Sequence, residues 1–438
     1  MFERLAKKLW GGIRGDELAK FMYLSAGAFF LIGSYWPLKP LKEGIFMSMV
    51  GSDYLPSVKM ITVAVVLLFV LVSSKLVDLF SKQKMIYFFV LLYSVLGICF
   101  VFLLTHPTIG LANTIQSKHR YVAWAFFVFA ESYLTIMVAL FWSFVNDITS
   151  SKSAKKGYGM IVTGSQLGGF IFSLVGKGLI SDTSAYTSRV PLIIGISVCM
   201  FLCLGASVWF LTHSVSKEQL QGDGSKKKRK PVGFIEGMIT LIKHPYVMGI
   251  FGLVFFQEIV TTLMGFQFSR MVEHSFADPA VRTSFLFTYS VTLQFIATAF
   301  ALFGTSYIHR RFGTRYCLVG LPLILLVCAS FYFVMPSLYT AIAFMLLIKA
   351  LHYALNQPVK ETLYIPTSQD IKYKSKAWID TMGQRGSKFF GATLSKFVGS
   401  APTPVSLLSV GGLIIWSLIA SAVGRRNEKA VAAKQLID

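Results

Sequence analysis

Residues 222 to 230 read Gly222-Asp223-Gly224-Ser225-Lys226-Lys227-Lys228-Arg229-Lys230, a stretch without one apolar side chain in a chain that is 54% hydrophobic and 14% charged. Working outward from it, apolar segments lie near 18–50, 56–81, 84–105, 119–147, 156–180 and 189–212 before it, and near 244–273, 283–308, 315–335, 338–366, 376–400 and 404–424 after it. Each holds the roughly 20 residues that a helix needs to cross the hydrocarbon core. Backbone amides find no water inside a bilayer, so each crossing segment is expected to be helical. The reading is an all-α membrane protein of twelve transmembrane helices in two six-helix bundles, residues 1–212 and 244–438, joined by a basic linker at 213–243.

The formal charge of +22 does not point to nucleic acid, because the basic residues recur between apolar runs instead of forming one solvated face. Their distribution sets orientation. Adding the N-terminal tail, alternate connections and the C-terminal tail places 27 of the 42 lysines and arginines on one side and 6 on the other. The side richer in Lys and Arg is the cytoplasmic one, so both termini are expected there. The 226–230 run is read as part of this bias, with a lipid-headgroup or nuclear-localisation role as the rival. Residues 1–20 are polar and basic with no cleavable apolar leader. Cys99, Cys199, Cys203, Cys317 and Cys328 sit singly in apolar runs and read as small core residues, with no metal or cofactor site.

Sliding the chain by 223 residues superposes Asp147-Ile148 on Asp370-Ile371, Ala154 on Ala377, Gly168 on Gly391 and Val175-Gly176 on Val398-Gly399, with Lys20 on Lys243 and Tyr23 on Tyr246. A duplication of this kind fits transporters built from two parallel repeats. The connection Arg310-Arg311-Phe312-Gly313-Thr314-Arg315 resembles the basic, glycine-containing turn of major-facilitator transporters. The expected fold is therefore major-facilitator-like. In Gly164-Ser165-Gln166-Leu167-Gly168 the GxxxG spacing predicts a close helix contact.

Ionisable groups inside spans are costly unless they face a wet cavity or a partner. The first span carries Lys39, Lys42 and Glu43 beside Pro37 and Pro40, whose missing N–H donors open the backbone ladder. Glu131 and Glu258 lie about fourteen residues, roughly 21 Å of rise, inside the fourth and seventh spans. In the tenth span Lys349, His352, Asn356 and Lys360 fall at i, i+3, i+7 and i+11 and share a face. The eleventh adds Asp380, Gln384, Arg385, Ser387 and Lys388. In a two-repeat transporter the first, fourth, seventh and tenth spans surround a central cavity. The alternative for these groups is ion pairing that holds the bundle together, for example Lys42 with Glu131 or Lys360 with Glu258. Six bases (Lys39, Lys42, Lys349, Lys360, Arg385, Lys388) against five acids (Glu43, Glu131, Glu258, Glu361, Asp380) favour an anionic solute.

Three blocks together resemble the non-mitochondrial ATP/ADP translocase family, the nucleotide transporters of plastids and of obligate intracellular bacteria. Leu38-Lys39-Pro40-Leu41-Lys42-Glu43 is similar to the family's Leu-Arg-Asp-x-Lys-Asp. Ala130-Glu131, Phe141-Trp142-Ser143-Phe144-Val145-Asn146-Asp147-Ile148-Thr149 and Ala154-Lys155-Lys156 form the second. The third is Lys360-Glu361-Thr362-Leu363-Tyr364-Ile365-Pro366, then Lys372-Tyr373-Lys374-Ser375-Lys376-Ala377-Trp378-Ile379-Asp380 and Arg385-Gly386-Ser387-Lys388. The chain departs from the family at Tyr133, where Trp is usual, and at Ser375, where Gly is usual.

The resemblance implies a carrier with ATP and ADP as substrates, exchanged by alternating access, in a bacterial inner membrane. It implies that Lys42, Glu131, Glu258 and Lys360 are required for transport. Lys39, Asn356, Arg385 and Lys388 join them as expected substrate contacts, and Glu43, Glu361, Asp380 and Asp147 are expected gating or ion-pair residues. Phosphate or protons are possible co-substrates. No cofactor, nucleic acid or obligate protein partner is expected beyond the lipid bilayer. The rival within transport is a proton-coupled importer of nucleotides or another organic anion, with Glu131 or Glu258 as the proton site. An enzyme or channel would need a clustered catalytic group or a ring of like charges, and the sequence has neither.

Overall fold

The computed structural model describes residues 15–216, 218–220, 234–300, 305–352, 356–364, 366–368, 375–376, 378–399 and 401–433. The 226–230 run and its preceding glycines lie outside the described residues, as do Ile365, Lys372-Tyr373-Lys374 and Ala377 of the third block and Asp370-Ile371 of the internal repeat. The helices are α1 (Asp16–Met49), α2 (Leu55–Leu79), α3 (Lys82–Thr105), α4 (Tyr121–Ile148), α5 (Ser151–Ile180), α6 (Tyr186–Ser214), α7 (Phe234–Lys243), α8 (Pro245–Ser275), α9 (Pro279–Ala299), α10 (Thr305–Val334), α11 (Leu338–Leu351), α12 (Gln357–Leu363), α13 (Gln384–Val398) and α14 (Pro402–Ala433). Every one of the twelve apolar segments holds helix. Among the described residues nine helices are long and apolar enough to cross a membrane. Starts are set locally: Ser81 and Ser150 accept N–H bonds at the heads of α3 and α5, and Ser337 forms a capping box with Thr340 at α11.

The chain divides into two compact units, Met1–Gly51 with Ala64–Arg229 and Asp278–Val291, and Ser52–Val63 with Lys230–Ala277 and Thr292–Asp438. In the first, α1 packs against α4, α5 and α6, while α3 packs on α4 and α6. In the second, α8 packs against α11, α13 and α14, while α10 packs on α11 and α14. Counted by span, the pairs 1–4, 1–5, 1–6, 3–4 and 3–6 recur as 7–10, 7–11, 7–12, 9–10 and 9–12. Five spans of each unit thus share one internal packing plan.

The repeat is visible at its glycines. A Cβ added at Gly168 would overlap the Phe29 carbonyl oxygen, and one at Gly164 would stand 2.5 Å from the Ser25 carbonyl oxygen, so α5 lies directly on the α1 backbone. At Gly391 an added Cβ would meet Thr262 Cβ at 3.0 Å and the Ile259 Cα at 3.3 Å, giving α13 the same approach to α8. The GxxxG spacing is therefore a helix contact. A carbonyl cannot rotate away as a side chain does, so Gly168→Val is expected to cost about 3 kcal/mol by overpacking. Gly178→Val, on the same helix with open space around it, is expected to melt close to the parent. Equal melting temperatures for the two variants in detergent would contradict the contact.

One reading is corrected, and one aligned pair is found to differ. Cys99, Cys199 and Cys203 are exposed on α3 and α6, and only Cys317 is buried. The outer face of a spanning helix meets acyl chains as apolar as the core, so an apolar run does not tell the two faces apart. Lys20 and Lys243 also differ despite their aligned positions. Lys20 is buried and donates to the Ile148 and Gln219 carbonyls, closing the end of α4, whereas Lys243 is exposed.

Candidate functional site

In the first unit α1 continues through Pro37 and Pro40 to Met49, so it loses two N–H donors without ending. It presents Lys42 to α4, where the ammonium, 2% exposed, is paired with the Glu131 carboxylate. The same ammonium lies 4.5 Å from the Phe127 ring centroid. Phe127 and Glu131 are four residues apart on α4, so one helix face offers a carboxylate and an aromatic ring to a single lysine. One turn back, the Lys39 ammonium sits 4.2 Å over the Trp36 ring. The Tyr133 and Ser34 hydroxyls, both buried, are 2.8 Å apart, and the Tyr93 hydroxyl donates to Ser132 Oγ at 3.1 Å. These bonds fix the rotation of α4 against α1 and α3, which is what aims Glu131 at Lys42. Glu43 follows Lys42 on α1 and is half-buried. Asp147 is not brought to this pair: it lies sixteen residues, about 24 Å of helix, from Glu131 and binds Lys82 at 2.6 Å.

In the second unit the tenth span is described in two stretches, α11 ending at Leu351 and α12 starting at Gln357, with His352 and Asn356 between them also in helical backbone conformation. Lys360, on α12, is 3.0 Å from Asp380 in the π-helical turn Ile379–Gly383 that precedes α13. Among the described residues Lys360 thus pairs with Asp380 and not with Glu258. Glu258 on α8 instead faces Lys388 on α13 at 3.9 Å, and Glu361 binds Lys376 at 2.5 Å. Lys360, at 6%, and Glu258, at 13%, are the enclosed members of their pairs.

One residue missed by sequence reasoning binds two members of the tenth span's polar stripe. Gln257, buried beside Glu258, bonds through Nε2 to His352 Nδ1, and its Oε1 accepts from Asn356 Nδ2 at 2.6 Å. An amide in an apolar run needs partners, and that signal was present in the sequence, but nothing local names them. Phe127 and Trp36 were missed as well, since aromatic residues are abundant throughout the spans.

Arg385 on α13 is half-buried, and its Nη1 is enclosed without a hydrogen-bond partner among the described residues. Leaving a buried charged donor unsatisfied costs more than an ordinary bond is worth. A planar fork of donors suits a carboxylate or phosphate. Each unit therefore offers an enclosed lysine already neutralised by a carboxylate, and the second also carries an Arg385 nitrogen without an acceptor among the described residues. A polyanion can use the latter directly and reach the former by displacing a carboxylate.

The sequence profile of the TLC ATP/ADP transporter family matches residues 1–415. The chain is 23% identical to ADP,ATP carrier protein 1 of Chlamydia muridarum, over 99% of this chain and 93% of that protein. It is 24% identical to the chloroplastic ADP,ATP carrier protein 2 of Arabidopsis thaliana, over 88% of this chain and 70% of that one. Among solved structures it superposes on a bacterial homologue of the iron transporter ferroportin, inward-facing, with a TM-score of 0.66 at 10% identity, covering 93% of this chain and 99% of the other. The nucleoside transporter NupG gives 0.62 at 13% identity, with 94% and 99% covered. At such identities these two matches speak for the fold alone, and that fold is major-facilitator-like.

Proposed function

The chain belongs to the TLC ATP/ADP transporter family, and from that premise we propose that it exchanges ATP for ADP by alternating access. In this reading it is a multi-pass protein of a bacterial inner membrane, with both termini cytoplasmic and with halves 1–212 and 244–438 joined by the 213–243 linker. Lys42, Lys360, Arg385 and Lys388 hold the phosphates, with Lys39 and Asn356 beside them. Glu131, Asp380 and Glu258 neutralise the lysines when nucleotide is absent, while Glu43, Glu361 and Asp147 serve gating or interhelical pairing.

The observation that carries this reading is the pairing of the enclosed cations Lys42 and Lys360 with carboxylates, together with an Arg385 Nη1 that is enclosed without a hydrogen-bond partner among the described residues. Buried charge is tolerated only when compensated. An incoming phosphate and an outgoing carboxylate are thus alternatives for one lysine, and the empty site closes on itself.

The test is uptake of labelled ATP into proteoliposomes loaded with ADP, with phosphate or with buffer. Exchange predicts uptake into ADP-loaded vesicles at least about tenfold above buffer-loaded ones, since the return step needs a bound nucleotide. Equal uptake into empty vesicles, driven by an imposed pH gradient, would replace exchange by proton-coupled import.

A further inference from the structure

Where α8 begins and α14 finishes, a cavity of about 340 Å³ opens between them, lined by Tyr246, Met248, Gly249, Ile419, Val423 and Arg426 among others. Its polar capacity is concentrated at one point. The Tyr246 hydroxyl is already engaged, donating to the Leu363 carbonyl at 2.8 Å and accepting from Asn427 Nδ2 at 2.9 Å. Gly249 and Gly252 hold the two helices close: added Cβ atoms would stand 2.5 Å from Val423 Cγ2 and 3.1 Å from Ile419 Cδ1. The wall that remains is a narrow apolar slot between two spanning helices.

Arg426 is exposed and stands three residues, just under one turn, beyond Val423. The apolar run of α14 ends at Val423 and gives way to Gly424-Arg425-Arg426, so the guanidinium falls where hydrocarbon yields to headgroups. A second observation concerns α7, immediately before α8. Leu241 is buried, while Met238, Ile239 and Ile242 are exposed, the last at 64%. A ten-residue helix with apolar side chains on its outer side, ending in Lys243 at the start of a span, is built to lie in the membrane interface.

We propose that this corner is a binding site for an anionic phospholipid, with an acyl chain in the slot between α8 and α14 and the headgroup phosphate on Arg426. Charge complementarity selects an anionic lipid over a zwitterionic one, and the apolar wall selects a lipid over a soluble phosphate. A nucleotide would use the arginine and leave the slot uncovered.

The full chain in mild detergent, titrated with phosphatidylglycerol, phosphatidylcholine or inorganic phosphate and read by native mass spectrometry, tests this. Phosphatidylglycerol is expected to bind about fivefold more tightly than phosphatidylcholine, the effect of one interfacial charge. Arg426→Gln should erase that preference, and Met248→Trp, which fills the slot, should weaken both lipids. Arg425→Gln should keep the preference, because Arg425 is held by Ser421 on its own helix at 3.1 Å. Equal binding of the two lipids, competition by inorganic phosphate, or the same loss in Arg425→Gln as in Arg426→Gln would overturn the site.

Discussion

Lys360→Gln is expected to lower nucleotide affinity by one to two decades and to abolish measurable exchange. The ammonium it removes is nearly enclosed and bound to Asp380 at 3.0 Å. Replacing that carboxylate by a phosphate keeps the charge balance, whereas the neutral amide offers a phosphate no counter-charge. A charge-assisted bond in such a setting is worth about 1.5 to 3 kcal/mol, which is the stated one to two decades. The variant also strands Asp380, so Asp380→Asn is the control: it leaves the lysine available and should bind ADP at least as well as the parent. Calorimetric titration with ADP separates the two. If Lys360→Gln bound ADP with unchanged affinity, Lys360 would be a structural ion-pair partner and not a phosphate ligand.

Glu131→Gln carries the opposite sign for binding. It leaves the Lys42 ammonium, 2% exposed, facing a neutral amide and the Phe127 ring. Breaking a buried pair by removing one partner costs several kcal/mol. Glu131 itself is 31% exposed, so the low end, about 2 to 3 kcal/mol, applies here. Nucleotide then supplies the missing negative charge. The thermal shift produced by ADP should be larger in Glu131→Gln than in the parent, while exchange slows because the empty carrier has lost its internal counter-ion. A shift equal to or smaller than the parent's would show that phosphate and Glu131 do not compete for Lys42. Proton-driven uptake that disappears in this variant would instead make Glu131 a proton site.

Much of the molecule was legible in the residues because the bilayer simplifies the problem. Unsatisfied backbone cannot cross it, so long apolar runs become helices, and the segments counted in the sequence reappear as helices with shifted ends. The glycine spacing around Gly164 and Gly168 announced a close contact, and the duplicated Gly391 makes the matching one on α8. The charged spans were equally plain, since an ionisable side chain in an apolar run stands out against its neighbours. The motif blocks around Lys42, Glu131 and Lys360 pointed to the family before any helix was placed.

Partner choice was not legible in the same way. A spacing of three or four residues tells which side chains share a face, but the rotation and register of the opposing helix decide what that face meets, and those depend on packing far away in sequence. Hence Lys42 finds Glu131 as one option had it, while Lys360 takes Asp380 and leaves Glu258 to Lys388. Gln257 is the same case, since it bridges His352 and Asn356 and no local pattern announces that contact. The sequence by itself determined which stretches become long apolar helices and which of them carry charge, because those follow from local hydropathy and the cost of bare polar groups in hydrocarbon. Only the tertiary structure decided which charges neutralise one another and which apolar faces are left on the outside, because both are fixed by helix rotation, to which hydropathy is blind.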